Sequence, residues 1–438
     1  MKKPPATTTA LQAVASTLSL DAKRRPSRSG IDSWYPYYAG FSGSFARDVL
    51  KSVPLDEGAT VLDPWNGSGT TTHVADQLGF RALGFDVNPV AALVASAKLA
   101  RSRDAEHVLG LATRIAESAE SKRATRNNQD PLSEWLKPSV ASQYRVIEAA
   151  VLADLATGRT RLPLEPRSGA LPPLASFLVL ALMRAARSLA GVRTTTNPTW
   201  VAPGDDARGS RLMLGRLWLS TVEAMAEDLA LGPATSKTAS EMHVADARSL
   251  PIPDESVDLV LTSPPYCTRI DYVVSTSFEL AALGIGRGSP EYDRLRRSCM
   301  GTPLAREGLP PELRDAWPQP VTALLNAIRN HPSKASRSYY YKTYWQYFSD
   351  CERALGELHR TLKPGGAAVL VVQSSYYKNL SVDLPQLYVA LGESLGFRGH
   401  VVNKVEVRRA LAQINSRSLR HRKATNYFES VVTLEKAA

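Results

Sequence analysis

The feature that most limits what this chain can become is an alternation near its N-terminus. Ala59 to Asp63 is a short apolar run, Pro64 to Gly69 a glycine-containing turn, Thr70 to Leu78 a helix-prone stretch, and Arg81 to Val87 a second run of strand character. Strand, tight turn, helix, strand is the opening of a βαβ unit, which requires a parallel sheet covered by helices. Strand character resumes at His243 to Ala245 and at Val257 to Leu261. After a helix over Trp345 to Leu362 and a Lys363-Pro364-Gly365-Gly366 turn, it returns at Ala367 to Val372. The predicted fold class is α/β, with a doubly wound, mostly parallel sheet.

The 438 residues, 44% of them hydrophobic, are enough for one large core or two ordinary ones. Six segments are expected: a basic arm over 1–30, a first part of the α/β domain over 31–104, a helical insertion over 105–240, a second part over 241–283, a polar Arg-bearing segment over 284–342, and a third part over 343–438. A long helix-prone segment is expected from Pro89 to about Ser121, and an apolar helix from Leu174 to Leu189, after the Pro-rich stretch Leu162 to Pro173. Three widely spaced cysteines, Cys267, Cys299 and Cys351, fit neither a disulfide framework nor a zinc site. With no apolar run of eighteen residues and no signal-peptide core, a cytoplasmic protein without membrane contact is expected.

The net charge of +11 is not spread evenly. Residues 1–30 carry six Lys or Arg against Asp21, and residues 401–425 carry seven against Glu406, while the remaining 40 basic and 40 acidic residues cancel. Cationic ends on a neutral body suit a polyanion, although a solubilising tail and a solvated helix face would give the same sum.

In open α/β sheets, ligands bind beyond the carboxyl ends of the strands, and three such ends are chemically marked here. The first is Asp63-Pro64-Trp65-Asn66-Gly67-Ser68-Gly69-Thr70-Thr71, whose two glycines let backbone approach a ligand. It is neither a GxGxxG fingerprint nor a phosphate loop. The second is Asp86, followed by Val87 and Asn88. An acid at this place can meet ribose hydroxyls, or it can cap the helix that begins at Pro89. The third is Ser263-Pro264-Pro265-Tyr266. The prolines end the strand and fix the Pro264 carbonyl and the Ser263 side chain, and Tyr266 offers a flat face for stacking. A rigid acceptor pair beside an aromatic ring suits an exocyclic amine on a base, while a plain turn closing a strand is the bland alternative.

Taken together, these residues resemble the amino-group DNA methyltransferases, enzymes that methylate N4 of cytosine or N6 of adenine with S-adenosylmethionine. Val61 to Thr71 is similar to that family's DPFxGSGTT loop, and Thr262 to Tyr266 to its (D/N/S)PPY motif. Asp246, in Val244-Ala245-Asp246-Ala247-Arg248, matches the acid that meets the cofactor's adenine. Trp34 to Gly43, with Tyr37 and Phe41, looks like the segment that closes over the cofactor's methionine end. Trp65 and Asn66 depart from the commoner residues of the loop. The roughly 160 residues between Asp86 and Asp246 fit none of the family's usual arrangements cleanly.

The resemblance implies a Rossmann-like methyltransferase fold and S-adenosyl-L-methionine as cofactor. Its binding residues would be Tyr37, Phe41, Asp63, Pro64, Asn66, Gly67, Ser68, Gly69, Thr70, Thr71, Asp86, Val87, Asn88, Asp246 and Ala247, with Ser263, Pro264, Pro265 and Tyr266 catalytic and no metal. Ser at the head of the motif is commoner among N4-cytosine enzymes, so cytosine is favoured over adenine. An RNA methyltransferase and a non-catalytic nucleic-acid-binding protein remain as more distant readings. Cys267 follows the motif but does not make the Pro-Cys of a C5-methyltransferase; a place in the pocket wall is expected. The implied partner is double-stranded DNA, its target base flipped onto Tyr266, together with cognate restriction or phage-defence proteins. Arg269 and Tyr272, on an expected loop, are candidate DNA contacts, as are Arg408, Arg409, Arg417, Arg420, Arg422 and Lys423. Base reading falls to either the 105–240 insertion, around Arg193 to Trp200, or the 284–342 segment. The latter carries ten basic residues against five acidic and ends in Tyr339-Tyr340-Tyr341.

Overall fold

The computed structural model describes residues 30–36, 40–122, 127–156, 170–194, 199–232, 238–267, 271–306, 312–314, 316–407 and 427–438. A seven-stranded sheet organises them, built from β1 (Thr60–Asp63), β2 (Arg81–Asp86), β3 (Glu241–Val244), β4 (Val257–Thr262), β5 (Leu362–Gln373), β6 (Phe397–Val407) and β7 (Tyr427–Lys436). Its strand order is β6-β7-β5-β4-β1-β2-β3. The strands from β5 across to β3 pair in parallel, and β7 runs antiparallel between β5 and β6. This is the mostly parallel, Rossmann-like α/β fold.

Both faces of the sheet are covered, which is why the central strands read as unbroken apolar runs rather than alternating ones. Val61, Leu259, Leu261, Val369 and Val371 pack on α1 (Gly43–Ser52) and α2 (Thr70–Gln77). Their strand neighbours Leu62, Val260, Ala368, Leu370 and Val372 face the opposite layer. The strand order reverses between β1 and β4, whose partners Val61↔Leu259 and Leu62↔Val260 bring two distant parts of the chain side by side. The carboxyl ends of these two strands therefore flank the crevice where such sheets hold ligands.

Between β2 and β3 the chain builds α3 (Pro89–Ala97), α4 (Ser102–Ser121), α5 (Pro138–Leu155), α6 (Pro173–Leu189) and α7 (Arg211–Ala230). The helix-prone segment over 89–121 forms two helices. Arg101 takes an extended conformation, and its side chain pairs with buried Asp76. Its backbone N–H bonds Asp104 at 3.0 Å, starting a new helix in a new direction. After β4 come α8 (Tyr272–Ser275), α9 (Ser277–Ala282), α10 (Pro290–Ser298), α11 (Gln319–Arg329) and α12 (Tyr341–Thr361), and α13 (Leu384–Ser394) precedes β6. The Lys363-Pro364-Gly365-Gly366 turn is a bulge inside β5, where the pairing with β4 shifts from Val257↔Leu362 to Leu259↔Ala367. Strands β6 and β7 were not expected from the sequence. The basic arm over 1–30 and most of the C-terminal basic stretch lie outside the described residues. No helix among the described residues is long and apolar enough to cross a membrane.

Candidate active site

At the end of β1, Asp63 is buried and bridges the two halves of the crevice. It accepts the Thr262 hydroxyl at 2.5 Å and the Trp65 backbone N–H at 3.2 Å. Burial is the main influence on this carboxyl and pushes it up to about 6. Thr71 donates to the carbonyl of Leu261 at 3.0 Å, a second stitch between α2 and β4. The turn that follows needs positive φ at Gly67 (50°) and Gly69 (77°). A side chain at Gly69 would also collide with Ala95 of α3, at 2.7 Å from its Cβ. Asn66 has a packing role: its amide meets the Met242 sulfur at 3.1 Å and the Thr72 hydroxyl at 3.1 Å.

Asp86 ends β2 and closes the turn from the other side. Its two carboxylate oxygens accept the backbone N–H groups of Gly67 at 3.0 Å and Asn88 at 2.9 Å. The cap of α3 is supplied by Asn88, which accepts from Val90 at 3.0 Å. Asp86 thus does not cap the helix and keeps lone pairs for a ligand. Burial raises its pKa to about 6, so above that value it presents a carboxylate to the cleft.

A cleft of about 940 Å³, counting space open to solvent, runs between these strand ends. It brings together Phe41, Asp63, Pro64, Asn66, Gly67, Ser68, Thr70, Thr71, Asp86, Val87, Asn88, Asp246, Ala247, Ser263, Pro265 and Tyr272. Gly69, Pro264 and Tyr266 are not among its lining residues; Gly69 supports the turn from beneath. Tyr37, Arg269, Arg408, Arg409, Arg417, Arg420, Arg422 and Lys423 lie outside the described residues.

Ser263 sits where β4 gives way to the two prolines, and its hydroxyl donates to the Val371 carbonyl at 3.1 Å. With its proton directed into β5, the oxygen has only lone pairs left to offer. Pro265 is held by its carbonyl, which accepts the Tyr347 hydroxyl at 2.9 Å. The Tyr266 hydroxyl lies 3.4 Å from Glu429 of β7, and burial pushes it well above the usual phenol range. Tyr272 is in the one-turn helix α8 rather than on a loop, and Asp271 caps that helix. Its hydroxyl is buried near the Tyr266 backbone, outside hydrogen-bonding geometry, on the wall of the cleft.

Sequence reasoning missed the wall opposite the glycine turn. Arg248 closes on Asp246 at 2.6 Å, binds buried Asp350 of α12 at 2.6 Å and donates to the Ser298 carbonyl at 2.7 Å. This pairing holds the Asp246 carboxyl below the usual carboxylate range against the opposing effect of burial. Ser298, Cys299 and Met300, from the end of α10, complete the wall. Only Arg248 left a trace in the sequence, two residues beyond an acid in a post-strand turn. Cys267 is not in the wall; it packs in the core with Met300 and Tyr347. No group of three potential metal ligands occurs among the described residues.

No protein-family model matches the chain. Among solved structures, the YcgJ protein of Bacillus subtilis aligns with 90% of this chain and 99% of its own at 9% identity, with a TM-score of 0.31. Among curated proteins, the chain is 22% identical over 418 residues to the Type II methyltransferase M.BsoBI of Geobacillus stearothermophilus, covering 84% of this chain and 79% of that protein. The similarity is to a methyltransferase, and the glycine- and proline-marked strand ends lie on one crevice of a Rossmann-like sheet.

Proposed function

We propose that the protein transfers a methyl group from S-adenosylmethionine to the exocyclic N4 amine of a cytosine flipped out of double-stranded DNA, as the modification enzyme of a bacterial restriction or phage-defence system. The observation that supports the reading is that Ser263, whose hydroxyl donates to the Val371 carbonyl, lines the same cleft as Asp63 and Asp86. The residues present fit the cofactor by their chemistry. Asp86 offers a carboxylate suited to ribose hydroxyls, Asp246 an acceptor for an adenine amine, and Gly67 a backbone that a ligand can approach. When bound, the cofactor supplies a methyl carbon made electrophilic by its sulfonium.

The amine to be methylated is a poor nucleophile because its lone pair is delocalised into the ring. Ser263 Oγ and the Pro264 carbonyl accept its two hydrogens, which draws the nitrogen toward tetrahedral geometry and turns its lone pair toward the methyl donor. The two prolines supply the rigidity this requires, since acceptors that moved with the base would give no orientation. Tyr266 stacks on the extruded base, and Tyr272 contacts the flipped nucleotide. Once the amine has accepted the methyl group, its excess proton is lost to solvent, and Ser263 and Pro264 hold the nitrogen throughout.

The test is mass analysis of nucleosides from DNA of a methylation-free host expressing the wild type or Ser263→Ala. N4-methylcytosine with the wild type, reduced at least tenfold in the variant, is the expected result. N6-methyladenine would overturn the base assignment while keeping the site, and equal methylation by the variant would overturn the role of Ser263. Adenine is the second reading because the motif serves both amines.

A further inference from the structure

The helix α12 leads directly into β5, so in this βαβ arrangement its N-terminus lies at the carboxyl edge of the sheet, the edge that carries Ser263 to Tyr266. The hairpin Ser375–Tyr377/Leu380–Val382 leaves the carboxyl end of β5 at the same edge. Two segments distant in sequence meet there. Ser336 Oγ and the Tyr377 hydroxyl are 2.6 Å apart, and the rings of Tyr340 and Tyr344 lie 5.2 and 5.7 Å from that of Tyr377. Lys378 Nζ stands 5.7 Å from the centre of the Tyr340 ring.

A continuous path joins this surface to the catalytic motif. Gly301, at φ 75°, packs so closely on the motif that a Cβ there would lie 3.0 Å from the Tyr266 carbonyl oxygen. Two residues on, the Pro303 carbonyl accepts the Tyr339 hydroxyl at 2.6 Å.

The charge of the segment from 316 to 349 has one sign. No acidic residue occurs between Asp315 and Asp350, while Arg329, Lys334, Arg337 and Lys342 all fall in that interval. Lys334, Arg337 and Lys342 are exposed, and none of them has an ion pair among the described residues. The backbone here is also unusual. Three described non-glycine residues have positive φ, and two of them, Ala335 (64°) and Lys378 (54°), flank this patch. Strained backbone of this kind persists where the surroundings hold it and gathers at ligand-contacting surfaces.

We infer that the surface formed by Lys334, Arg337, Lys342 and Lys378 around Tyr339 and Tyr340 grips the phosphodiester backbone of duplex DNA beside the flipped base. This rests on the proposed reaction and names the part of the 284–342 segment, with the hairpin after β5, that holds the substrate. Cations with no ion pair among the described residues, on a half-buried aromatic bed, neutralise phosphates without reading bases, so the contact contributes affinity and register rather than sequence choice.

The experiment is fluorescence anisotropy of a labelled mixed-sequence duplex titrated with the full chain across a range of KCl concentrations. The wild type is compared with Lys334→Gln/Arg337→Gln/Lys342→Gln. A control, Lys51→Gln/Arg398→Gln, removes two exposed cations at the opposite, amino edge of the sheet. Each phosphate contact contributes about 0.9 to the slope of log K against log salt. The triple variant is expected to lose roughly two to three units of slope and at least tenfold in affinity. Its cofactor affinity by calorimetry should equal that of the wild type, and the control should keep the wild-type slope. A triple variant with wild-type slope and affinity would overturn this surface and leave the DNA reading intact, as would a control that loses as much. A wild type that binds single-stranded RNA but no duplex would overturn both this surface's partner and the proposed substrate.

Discussion

Asp63 is a carboxyl held where a carboxylate is costly. Its pKa in the folded chain, about 6, is above that of an ordinary aspartate, and burial is the leading cause. A raised acid pKa means that the folded state prefers the proton. Its unfavourable contribution is absent below about pH 4, grows as pH rises toward 6, and is complete above that. Both the Thr262 hydroxyl and the Trp65 N–H are accepted by the same oxygen, Oδ1. An asparagine would keep those bonds and remove the charge. Asp63→Asn is therefore expected to be more stable than the wild type at pH 8 by about 1–3 kcal/mol. The advantage should fade as pH falls to about 4, as measured by urea unfolding at the two values. A variant no more stable at pH 8 would mean that the carboxylate is compensated in the fold.

At the scale of elements, Arg248 ties three of them together: the turn after β3, the end of α10 and the middle of α12. Arg306 adds to the knot by a two-pronged contact with Asp350, 2.8 Å at each oxygen. The segment that carries Met300 and Gly301 is thereby fixed to the wall that presents Asp246. Asp350→Asn keeps the shape of the knot while removing the charge shared by buried Arg248 and half-buried Arg306. It is expected to raise the KM for cofactor several-fold and to lower melting temperature by several degrees, since an uncompensated buried charge costs about 3–5 kcal/mol. Unchanged cofactor KM in kinetic assays would show that the knot supports only the fold.

The elements themselves were unevenly legible in the sequence. The β1–α2–β2 opening and the end of β4 were readable because turn glycines and consecutive prolines act locally. Arg248, Cys299 and Met300 were not, because their place in the wall depends on contacts between segments far apart. Strands β6 and β7 escaped for a related reason. Charged and polar residues interrupt their apolar pattern, and the antiparallel pairing of Phe397 with Lys436 is set by distant sequence. The rest of the candidate site, sixteen of its expected residues, gathers at one cleft because strand ends in a doubly wound sheet converge whatever lies between them.

At the scale of the whole molecule, the insertion reads as a separate block in sequence but not in packing. One hydrophobic cluster runs from Val90 and Leu93 of α3 through Trp135, Tyr144, Phe177 and Trp218 of the insertion to Phe278 of α9, and it includes Val244 of β3. Arg145 of α5 also grips the far end of α9, donating to the carbonyls of Ala281 at 2.9 Å and Ala282 at 2.5 Å. A shared core of this kind couples the insertion to the sheet. Thermal unfolding followed by tryptophan fluorescence and by far-ultraviolet circular dichroism is expected to give coincident transitions. An earlier transition in fluorescence alone would make the insertion an independent unit.

The bond from Thr262 to Asp63 spans 199 positions of chain. On the ribosome, β1 and β2 emerge early, while β4 cannot reach them until the whole insertion has been made. Throughout that interval one side of β1, a strand buried at every position in the finished protein, stands as an open apolar edge. The nascent chain thus passes through a stage at which its most sheet-prone segment has no native partner, and chains that stall or are cut before Val257 remain there. The layout that places two distant motifs on one crevice is also expected to leave truncated copies prone to aggregate.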